Sequence, residues 1–300
     1  MKTKKWTGAA VIALFLLLLI SCLLDGLKTK EVLEEPEIVA SAGEEEPEPE
    51  TGMYIFQDEA GNSYEAKLLE NVSKCRYDFN NLKDDEGIKR FFDEENGIHS
   101  ELGIDVSEFQ GEIDWQQVKD FGIEFVIIRV GYRAYGETGT LVLDAGFDNN
   151  IQGAIDAGLN VGVYFFSQAV SDEEAKEEAE YVLEKIAPYK INGPVVFDTE
   201  EIKTGEARTD DNTMEQYTNN CIVFCETIKE AGYEPMIYAN MKWMAFMLEL
   251  ERLDAYSFWY TDYHDEPQCP YEYEIWQYTE NGVVPGIESN VNMNLWFVKE

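Results

Sequence analysis

The feature that most constrains the fold is a repeated alternation of short apolar segments with amphipathic ones across residues 102–300. Five times in succession, a segment typical of a buried strand precedes one with helical periodicity. Strands joined through helices pair in parallel by right-handed crossovers, which indicates an α/β fold. After about Leu250 the helical pattern ends while strand-like segments continue. The pattern therefore predicts an irregular TIM-like barrel with five βα units followed by three further strands. The predicted strands are GIDVS, FVIIRVG, VGVYFFS, PVVFDTE, MIYAN, SFWYTD, EIWQYT and VNMNLWF.

The first 52 residues contain two segments of contrasting composition. Residues 1–27 carry three early lysines ahead of an apolar run from about Gly8 to Leu24, which predicts a membrane segment in the form of an uncleaved signal anchor. The sequence LISC also fits a lipoprotein signal with Cys22 as the lipidated residue, and an ordinary cleaved signal is a third alternative. The apolar run continues past Cys22, which favours the anchor. Residues 28–52 are rich in Glu and Pro and predict an extended acidic linker.

The rest of the chain divides at about residue 101. Residues 53–100 form a small appended region, in which two strand-like segments flank a turn at Gly61-Asn62 and predict a β-hairpin. Residues 101–300 form the predicted barrel. Every interpretation of the N-terminus exports the bulk of the chain, so we expect it outside the cytoplasm, at the cell surface and attached to the membrane.

Charge and composition narrow the possible partners. The formal net charge of -37 argues against nucleic acid, because its phosphates would be repelled. A solvated acidic surface is the simpler interpretation of that charge. Five cysteines and two histidines include no C-x-x-C motif and no histidine pair at helical spacing. We therefore predict no structural metal, no cofactor and no disulfide framework. We also expect a monomer.

The carboxyl ends of the predicted strands carry acids, aromatics and amides. In parallel barrels the catalytic groups project from these ends, where the loops meet around a shared mouth. The residues at the ends are Asp105, Arg129, Tyr132, Tyr164, Gln168, Asp198, Glu200, Tyr238, Asn240, Trp259, Asp262, Trp276, Gln277, Asn292 and Asn294. No arrangement of serine, cysteine or histidine among them indicates a nucleophile. Chemistry based on carboxylic acids is therefore favoured.

The strongest candidate pair follows the apolar segment PVVF as Asp198-Thr199-Glu200. Side chains two apart on a strand share a face, so the two carboxylates point the same way and Thr199 points away. Two close carboxylates do not both ionise readily, so one keeps its proton to higher pH. A proton donor beside an ionised acid is what cleavage of a glycosidic bond requires. The alternatives are a solvated or salt-bridged acid pair and burial of Trp259 and Tyr238 in the core.

Six segments, taken in order, resemble the glycoside hydrolase family 25 lysozymes, the N-acetylmuramidases of the Chalaropsis type. They are GIDVSEFQGEIDW, VIIRVGY, AGLNVGVYFFSQA, PVVFDTE, MIYAN and EIWQYTENGVVPGI. The resemblance extends from about Gly103 to Val298 and implies the same barrel of five βα units and three further strands. It also implies hydrolysis of the β-1,4 bond between N-acetylmuramic acid and N-acetylglucosamine. The glycan strands of peptidoglycan are then the expected partner.

The resemblance also implies roles for individual residues. Glu200 matches the general acid of the family, Asp198 matches the acid that stabilises the reacting sugar, and Asp105 matches the acid on the first strand. The mechanism implied for the family uses the substrate's own 2-acetamido group as the nucleophile. The expected saccharide-binding residues are Tyr164, Tyr238, Trp259, Gln277 and Asn292.

One position departs from the family pattern. The family commonly has V-D-x-N near the C-terminus, whereas this chain reads VNMN with Asn292. An amide loses the charge and accepts hydrogen bonds less strongly, so activity or its pH range is expected to change. Two alternatives stay open: a peptidoglycan-binding surface protein that does not cut, and a glycosidase for another amino-sugar polymer. Retention of Asp105, Asp198 and Glu200 favours a working enzyme that remodels the cell's own wall.

Overall fold

The computed structural model describes residues 52–202 and 206–299. The predicted membrane segment over residues 1–27, with Cys22, lies outside the described residues, as does the predicted linker up to residue 51. Among the helices of the described ranges, none combines the length and the apolar character that a membrane span requires.

Thirteen strands and six α-helices make up the described chain. The strands are β1 (Met53–Gln57), β2 (Ser63–Lys67), β3 (Leu82–Asp85), β4 (Ile88–Asp93), β5 (Ile98–Val106), β6 (Phe125–Arg133), β7 (Leu141–Leu143), β8 (Asn160–Phe166), β9 (Val195–Asp198), β10 (Pro235–Asn240), β11 (Ser257–Thr261), β12 (Ile275–Gly282) and β13 (Val291–Lys299). The helices are α1 (Trp115–Phe121), α2 (Phe147–Asp156), α3 (Asp172–Ile186), α4 (Met214–Glu230), α5 (Met241–Phe246) and α6 (Leu250–Leu253).

Eight of these strands close into a barrel. The neighbours from β5 through β6, β8, β9, β10 and β11 to β12 all pair in parallel. Strand β13 is antiparallel to both β12 and β5, and it closes the ring. A helix follows each of β5, β6, β8, β9 and β10, whereas β11 and β12 have none after them. The predicted barrel with five βα units and three further strands is confirmed.

Helix starts follow from local capping chemistry. Ser171 accepts a hydrogen bond from the backbone N–H of Glu174, and three acids occupy the first turn of α3, where the helix dipole favours negative charge. Asp114 caps α1 in the same way, through the backbone N–H of Gln117. Each cap satisfies a backbone donor that the first turn leaves unpaired, so each helix begins at a defined residue.

The two faces of the barrel strands have different roles. Alternate residues point outward, where they pack beneath the helices in the main core, or inward to the lumen. The lumen is filled at its lower part by an apolar cluster that consists of Phe125, Ile127, Val196, Met236, Trp259 and Ile275. Gly103 has no side chain because a Cβ there would lie 2.3 Å from the ring of Phe125. Because this cluster fills the lower lumen, the polar side chains that face the lumen lie at the mouth, at the carboxyl ends of the parallel strands.

Residues 53–100 pack directly on the barrel wall. Strands β1 and β2 form the predicted hairpin, with Met53 paired to Lys67 and Gln57 paired to Ser63. Strand β4 pairs with the start of β5, so the barrel sheet extends outward from residues 82–93. The Tyr77 ring stacks on Phe297 with ring centroids 4.0 Å apart. Contacts of this kind place residues 53–100 in the same compact unit as the barrel.

Candidate active site

The barrel mouth carries a layer of polar side chains above the apolar lumen cluster. Side chains from β5, β8, β9, β10, β12 and β13 contribute to it, because the lumen-facing register of each strand continues upward from the apolar layer. The members are Asp105, Tyr164, Asp198, Tyr238, Gln277, Asn292 and Asn294. All were expected at strand ends from the sequence, and the closed barrel brings them together.

Asp105 is enclosed by three side-chain amides. One carboxylate oxygen accepts hydrogen bonds from Gln277 Nε2 at 2.8 Å and Asn294 Nδ2 at 2.9 Å. The other oxygen accepts from Asn292 Nδ2 at 3.0 Å, since Asn292 lies directly opposite Asp105 in the β5–β13 pairing. Burial raises the pKa of Asp105 to about 6, and the three amide hydrogen bonds oppose that rise. Asp105 is therefore held by hydrogen bonds on both carboxylate oxygens.

Gln277 connects this carboxylate to the rest of the mouth. Its Oε1 accepts hydrogen bonds from Tyr238 Oη at 3.1 Å, Thr261 Oγ1 at 3.0 Å and Tyr263 Oη at 2.9 Å. Its amide nitrogen donates to Asp105. The side chain is 1% exposed, so Gln277 supports the mouth from beneath and does not form its surface. Sequence reasoning missed the roles of Thr261 and Tyr263, although both adjoin the strand end of β11.

Asp198 lies in the same lumen with fewer partners. Its side chain is buried, and within the described ranges its Oδ1 atom has no hydrogen-bond partner. Burial raises the pKa of Asp198 well above its ordinary value, and the negative charges of Glu200 and Asp105 raise it further. The positive charge of Arg129 acts in the opposite direction. Asp198 thus favours its neutral form in the free protein.

Glu200 follows two residues later and is half-buried. Burial raises the pKa of Tyr238, and the negative charge of Glu200 is the next cause. Thr199 between the two acids is buried on the opposite face, where it accepts a hydrogen bond from Trp243 Nε1 at 3.3 Å. The predicted alternation, with Asp198 on the lumen side and Thr199 pointing away, is confirmed.

The aromatic residues expected to bind sugar fall into two groups. Tyr164 and Tyr238 are partly exposed at the mouth. Trp259 is 1% exposed and donates its Nε1 hydrogen to Asn294 Oδ1 at 2.8 Å. Its ring contacts the Tyr238 ring at a centroid distance of 4.7 Å and the Tyr164 ring at 6.0 Å. Trp259 therefore orients the two tyrosines from below, and they alone of the three present faces to the mouth.

Arg129, on β6, is held by two acids. Its Nε donates to Asp144 Oδ2 at 2.6 Å, and another guanidinium nitrogen lies 3.1 Å from Glu108 Oε1. The guanidinium also lies 4.9 Å from the ring centroid of Phe109, a side chain that is 73% exposed. An exposed aromatic held by a cation offers a flat face to a sugar ring. Neither Phe109 nor Asp144 was expected at the site from the sequence, since neither ends a predicted strand.

No group of three or more His, Cys, Asp or Glu side chains in residues 52–202 and 206–299 is arranged to hold a metal ion. The cysteines at positions 75, 221, 225 and 269 are free thiols.

Comparison with known proteins identifies related sequences. The model of a family described as glycosyl hydrolases family 25 matches residues 104–287. The chain is 24% identical to the autolytic lysozyme of Clostridium acetobutylicum over 193 residues, which cover 64% of this chain and 54% of that protein. It is 25% identical to Lysozyme M1 of Streptomyces globisporus over 201 residues, which cover 64% and 66% of the two chains. The match thus spans about half of the autolytic lysozyme.

Solved structures share the fold. The bacterial lysozyme from Streptomyces coelicolor matches with a TM-score of 0.55 and 24% identity, over 65% of this chain and 91% of that chain. The modular autolysin LytC from Streptococcus pneumoniae, solved in complex with a synthetic peptidoglycan ligand, matches with a TM-score of 0.59 and 23% identity. That match covers 82% of this chain and 56% of LytC. At these identities the likeness establishes the barrel architecture.

Proposed function

The chain belongs to glycosyl hydrolases family 25, and from this premise we propose that it is a muramidase that cleaves peptidoglycan. The bond cleaved is the β-1,4 linkage between N-acetylmuramic acid and N-acetylglucosamine. The observation that carries the proposal is the acid pair Asp198 and Glu200, in which the buried Asp198 has a carboxylate oxygen without a partner among the described residues and the charge of Glu200 contributes to its raised pKa. Relatives described as lysozymes support the substrate class.

In the proposed mechanism, the pair Asp198 and Glu200 carries one proton. Two adjacent carboxylates share a proton more readily than they carry two charges. In the free protein, burial favours the proton on Asp198. Positive charge that develops at the anomeric carbon beside Asp198 favours ionisation there, so the shared proton passes from Asp198 to Glu200, which donates it to the departing glycosidic oxygen. Glu200 is thus the general acid and Asp198 the stabilising acid.

The nucleophile in this proposal is the 2-acetamido oxygen of the substrate itself. Its attack on the anomeric carbon forms a cyclic intermediate as the glycosidic bond breaks, and water then opens that intermediate. Asp198 is placed to stabilise the positive charge that this ring carries. The partly exposed faces of Tyr164 and Tyr238 flank the acid pair and suit the apolar sides of sugar rings.

Asp105 has a supporting part in the proposal. Its carboxylate is already satisfied by the amides of Gln277, Asn292 and Asn294, so it supplies a fixed negative potential beneath the reacting sugar. Asn292 binds Asp105 in this interpretation and does not bind the sugar as an acid would. Binding of glycan without cleavage is the second candidate function. The observation in its favour is Asn292, which stands where the family pattern has an aspartate.

The biological setting of the proposal is the outside of the cell. Peptidoglycan lies beyond the cytoplasmic membrane, so a muramidase acts there, and a membrane attachment through residues 1–27 would direct it to the cell's own wall. Fractionation of cells and intact mass of the extracted protein test the attachment, because acylation at Cys22 removes the first 21 residues, whereas an uncleaved anchor retains them.

Digestion of purified peptidoglycan tests the activity. The full chain is expected to release fragments with reducing-end N-acetylmuramic acid, and Glu200→Gln is expected to lower turnover by about a thousandfold or more while glycan binding persists. The amide keeps the shape of the side chain but cannot donate the proton. Retention on the wall with no fragments from the unmodified chain would favour the binding function, and unchanged turnover in Glu200→Gln would remove Glu200 from its role.

A further inference from the structure

A cavity of about 430 Å³ lies at the barrel mouth between the β1–β2 hairpin and the carboxyl ends of β9, β10 and β11. The hairpin supplies one wall through residues 56–60, and the barrel supplies the other through residues that include Glu201, Asn240 and Thr261. The hairpin lies outside residues 104–287, which match the family model. This wall of the cavity therefore lies outside the part of the chain that matches the family model.

The hairpin is held firmly against the barrel. The side-chain amide of Gln268 exchanges two hydrogen bonds with the backbone of Gln57, at 2.8 and 3.0 Å. The Phe56 ring contacts the Phe246 ring at a centroid distance of 6.1 Å. The turn is fixed by Asp58, which accepts hydrogen bonds from the backbone of Asn62 at 2.8 Å and from Tyr64 Oη at 3.0 Å. The cavity wall is thus preformed, which lowers the entropy cost of binding.

The cavity borders the candidate active site. Glu201 directly follows the proposed general acid, and Thr261 donates to Gln277 Oε1 at 3.0 Å. Burial raises the pKa of Tyr263, and the charges of Asp105 in the lumen and Glu59 on the hairpin both contribute. The hairpin and the polar mouth layer therefore lie within electrostatic range of the same tyrosine. A glycan strand that leaves the mouth on this side meets the cavity next.

We propose that this cavity is a further subsite for a neutral N-acetylglucosamine ring of the bound glycan, an assignment that rests on the proposed muramidase function. The carboxylate oxygens of Glu59 and Glu201 offer acceptors to sugar hydroxyls and to the acetamido N–H. Ala60, which is exposed on the hairpin, provides a small apolar surface for the acetyl methyl group. The volume suits one ring, and the acidic wall disfavours an anionic peptide group.

Binding of peptide-free glycan oligomers of increasing length to the full chain tests the subsite. Glu200→Gln serves as the background so that the ligand survives, and calorimetry measures the affinity. Glu59→Ala removes an acceptor, and Ala60→Leu fills the cavity from the hairpin. Glu65→Leu is the matched control, because Glu65 is exposed on the same hairpin and does not line the cavity. Thermal unfolding of each variant verifies that the hairpin remains folded.

The two cavity variants are expected to bind the longer oligomers about tenfold more weakly than the background does, with the loss confined to oligomers long enough to reach the hairpin. Glu65→Leu should bind all lengths as the background does. Equal affinities in all variants, or a loss that is equal at every length, would overturn the subsite. A loss seen only with peptide-bearing fragments would overturn it in favour of a peptide site. Digestion of peptidoglycan by the unmodified chain together with unchanged long-oligomer affinities would reject the subsite and leave the muramidase function standing.

Discussion

Two regions of the barrel mouth each contain a buried aspartate, and the hydrogen bonding and pKa of the two aspartates differ. On the side of β5 and β13, Asp105 receives hydrogen bonds from three amides, and its pKa rises only to about 6. On the side of β9, Asp198 has an oxygen without a partner among the described residues, and Glu200 adds a like charge. Its pKa rises well above the ordinary value. Burial is common to both regions, whereas hydrogen bonding differs.

The difference in hydrogen bonding indicates which of the two aspartates has an oxygen available to a substrate. A carboxylate held by hydrogen bonds on both oxygens is fixed in place and has less left to offer a substrate. A buried carboxylate with an unfilled position costs stability in the free protein and can gain a partner when substrate binds. We therefore propose that the β9 side of the mouth is the reactive side and that the β5–β13 side is its scaffold. The following substitutions test that division.

Asp198→Asn is expected to have the largest effect on activity. The amide cannot carry the negative charge that stabilises the cyclic intermediate, so we expect kcat on peptidoglycan to fall by about a thousandfold, roughly 4 kcal/mol of transition-state stabilisation. Steady-state kinetics on solubilised peptidoglycan measures the change. A variant with nearly full turnover would place the reactive acid elsewhere in the mouth.

The same substitution is expected to stabilise the fold, with a defined pH dependence. Because the folded pKa of Asp198 is raised, the folded state retains a proton that the unfolded chain releases above pH of about 4. The contribution of the neutral aspartic acid to stability is therefore complete below that pH and declines as the pH rises toward the folded pKa. Asp198→Asn should match the unmodified chain near pH 4 and exceed its melting temperature increasingly toward pH 7. A gap that closes with rising pH would contradict the assignment.

Asp105→Asn is expected to change stability in the opposite direction. The asparagine brings an N–H₂ group toward the amides of Gln277, Asn292 and Asn294, so buried donors lose their acceptor. The free energy of unfolding should fall by about 2–4 kcal/mol at neutral pH, as urea denaturation would measure it. Asp198→Asn is the matched control, because it replaces a buried aspartate of the same lumen with the same residue. Stabilisation of the fold by both substitutions would contradict the proposed difference between the two regions.

Asn292→Asp is expected to have the smallest effect. It places a second carboxylate opposite Asp105 in the β5–β13 pairing, at the position where the amide nitrogen now donates at 3.0 Å. The two acids must then share a proton, so the pKa of Asp105 should rise further and the stability at pH 7 should fall by about 1–2 kcal/mol. The pH profile of kcat should shift while its maximum changes less than tenfold. An unaltered profile would indicate that position 292 has no influence on the reactive pair.

Sequence reasoning succeeded where the structure follows from local geometry. The alternation along PVVFDTE correctly assigned Asp198 to the lumen side and Thr199 to the opposite face, because pleating is a property of the strand itself. The alternation was less informative about how deeply each side chain is buried. Trp259 and Gln277 were expected at the mouth, yet each is 1% exposed, because side chains from other strands of the barrel cover them and supply their hydrogen-bond partners.

Some features of this protein follow from the sequence alone and others only from the tertiary structure, and the reason is physical. Apolar periodicity and capping residues determine strands, helices and their faces within a few residues of each position. The sequence alone therefore determined the barrel strands and helices, and it placed Asp198 at the end of a strand with Glu200 two residues later. Only the tertiary structure decided the surroundings of those acids. Asn292 meets Asp105 across 187 residues of sequence, and Gln57 meets Gln268 across 211, through the closure of the barrel and the docking of the hairpin. Contacts of that range depend on the packing of the whole chain, and no local pattern encodes them.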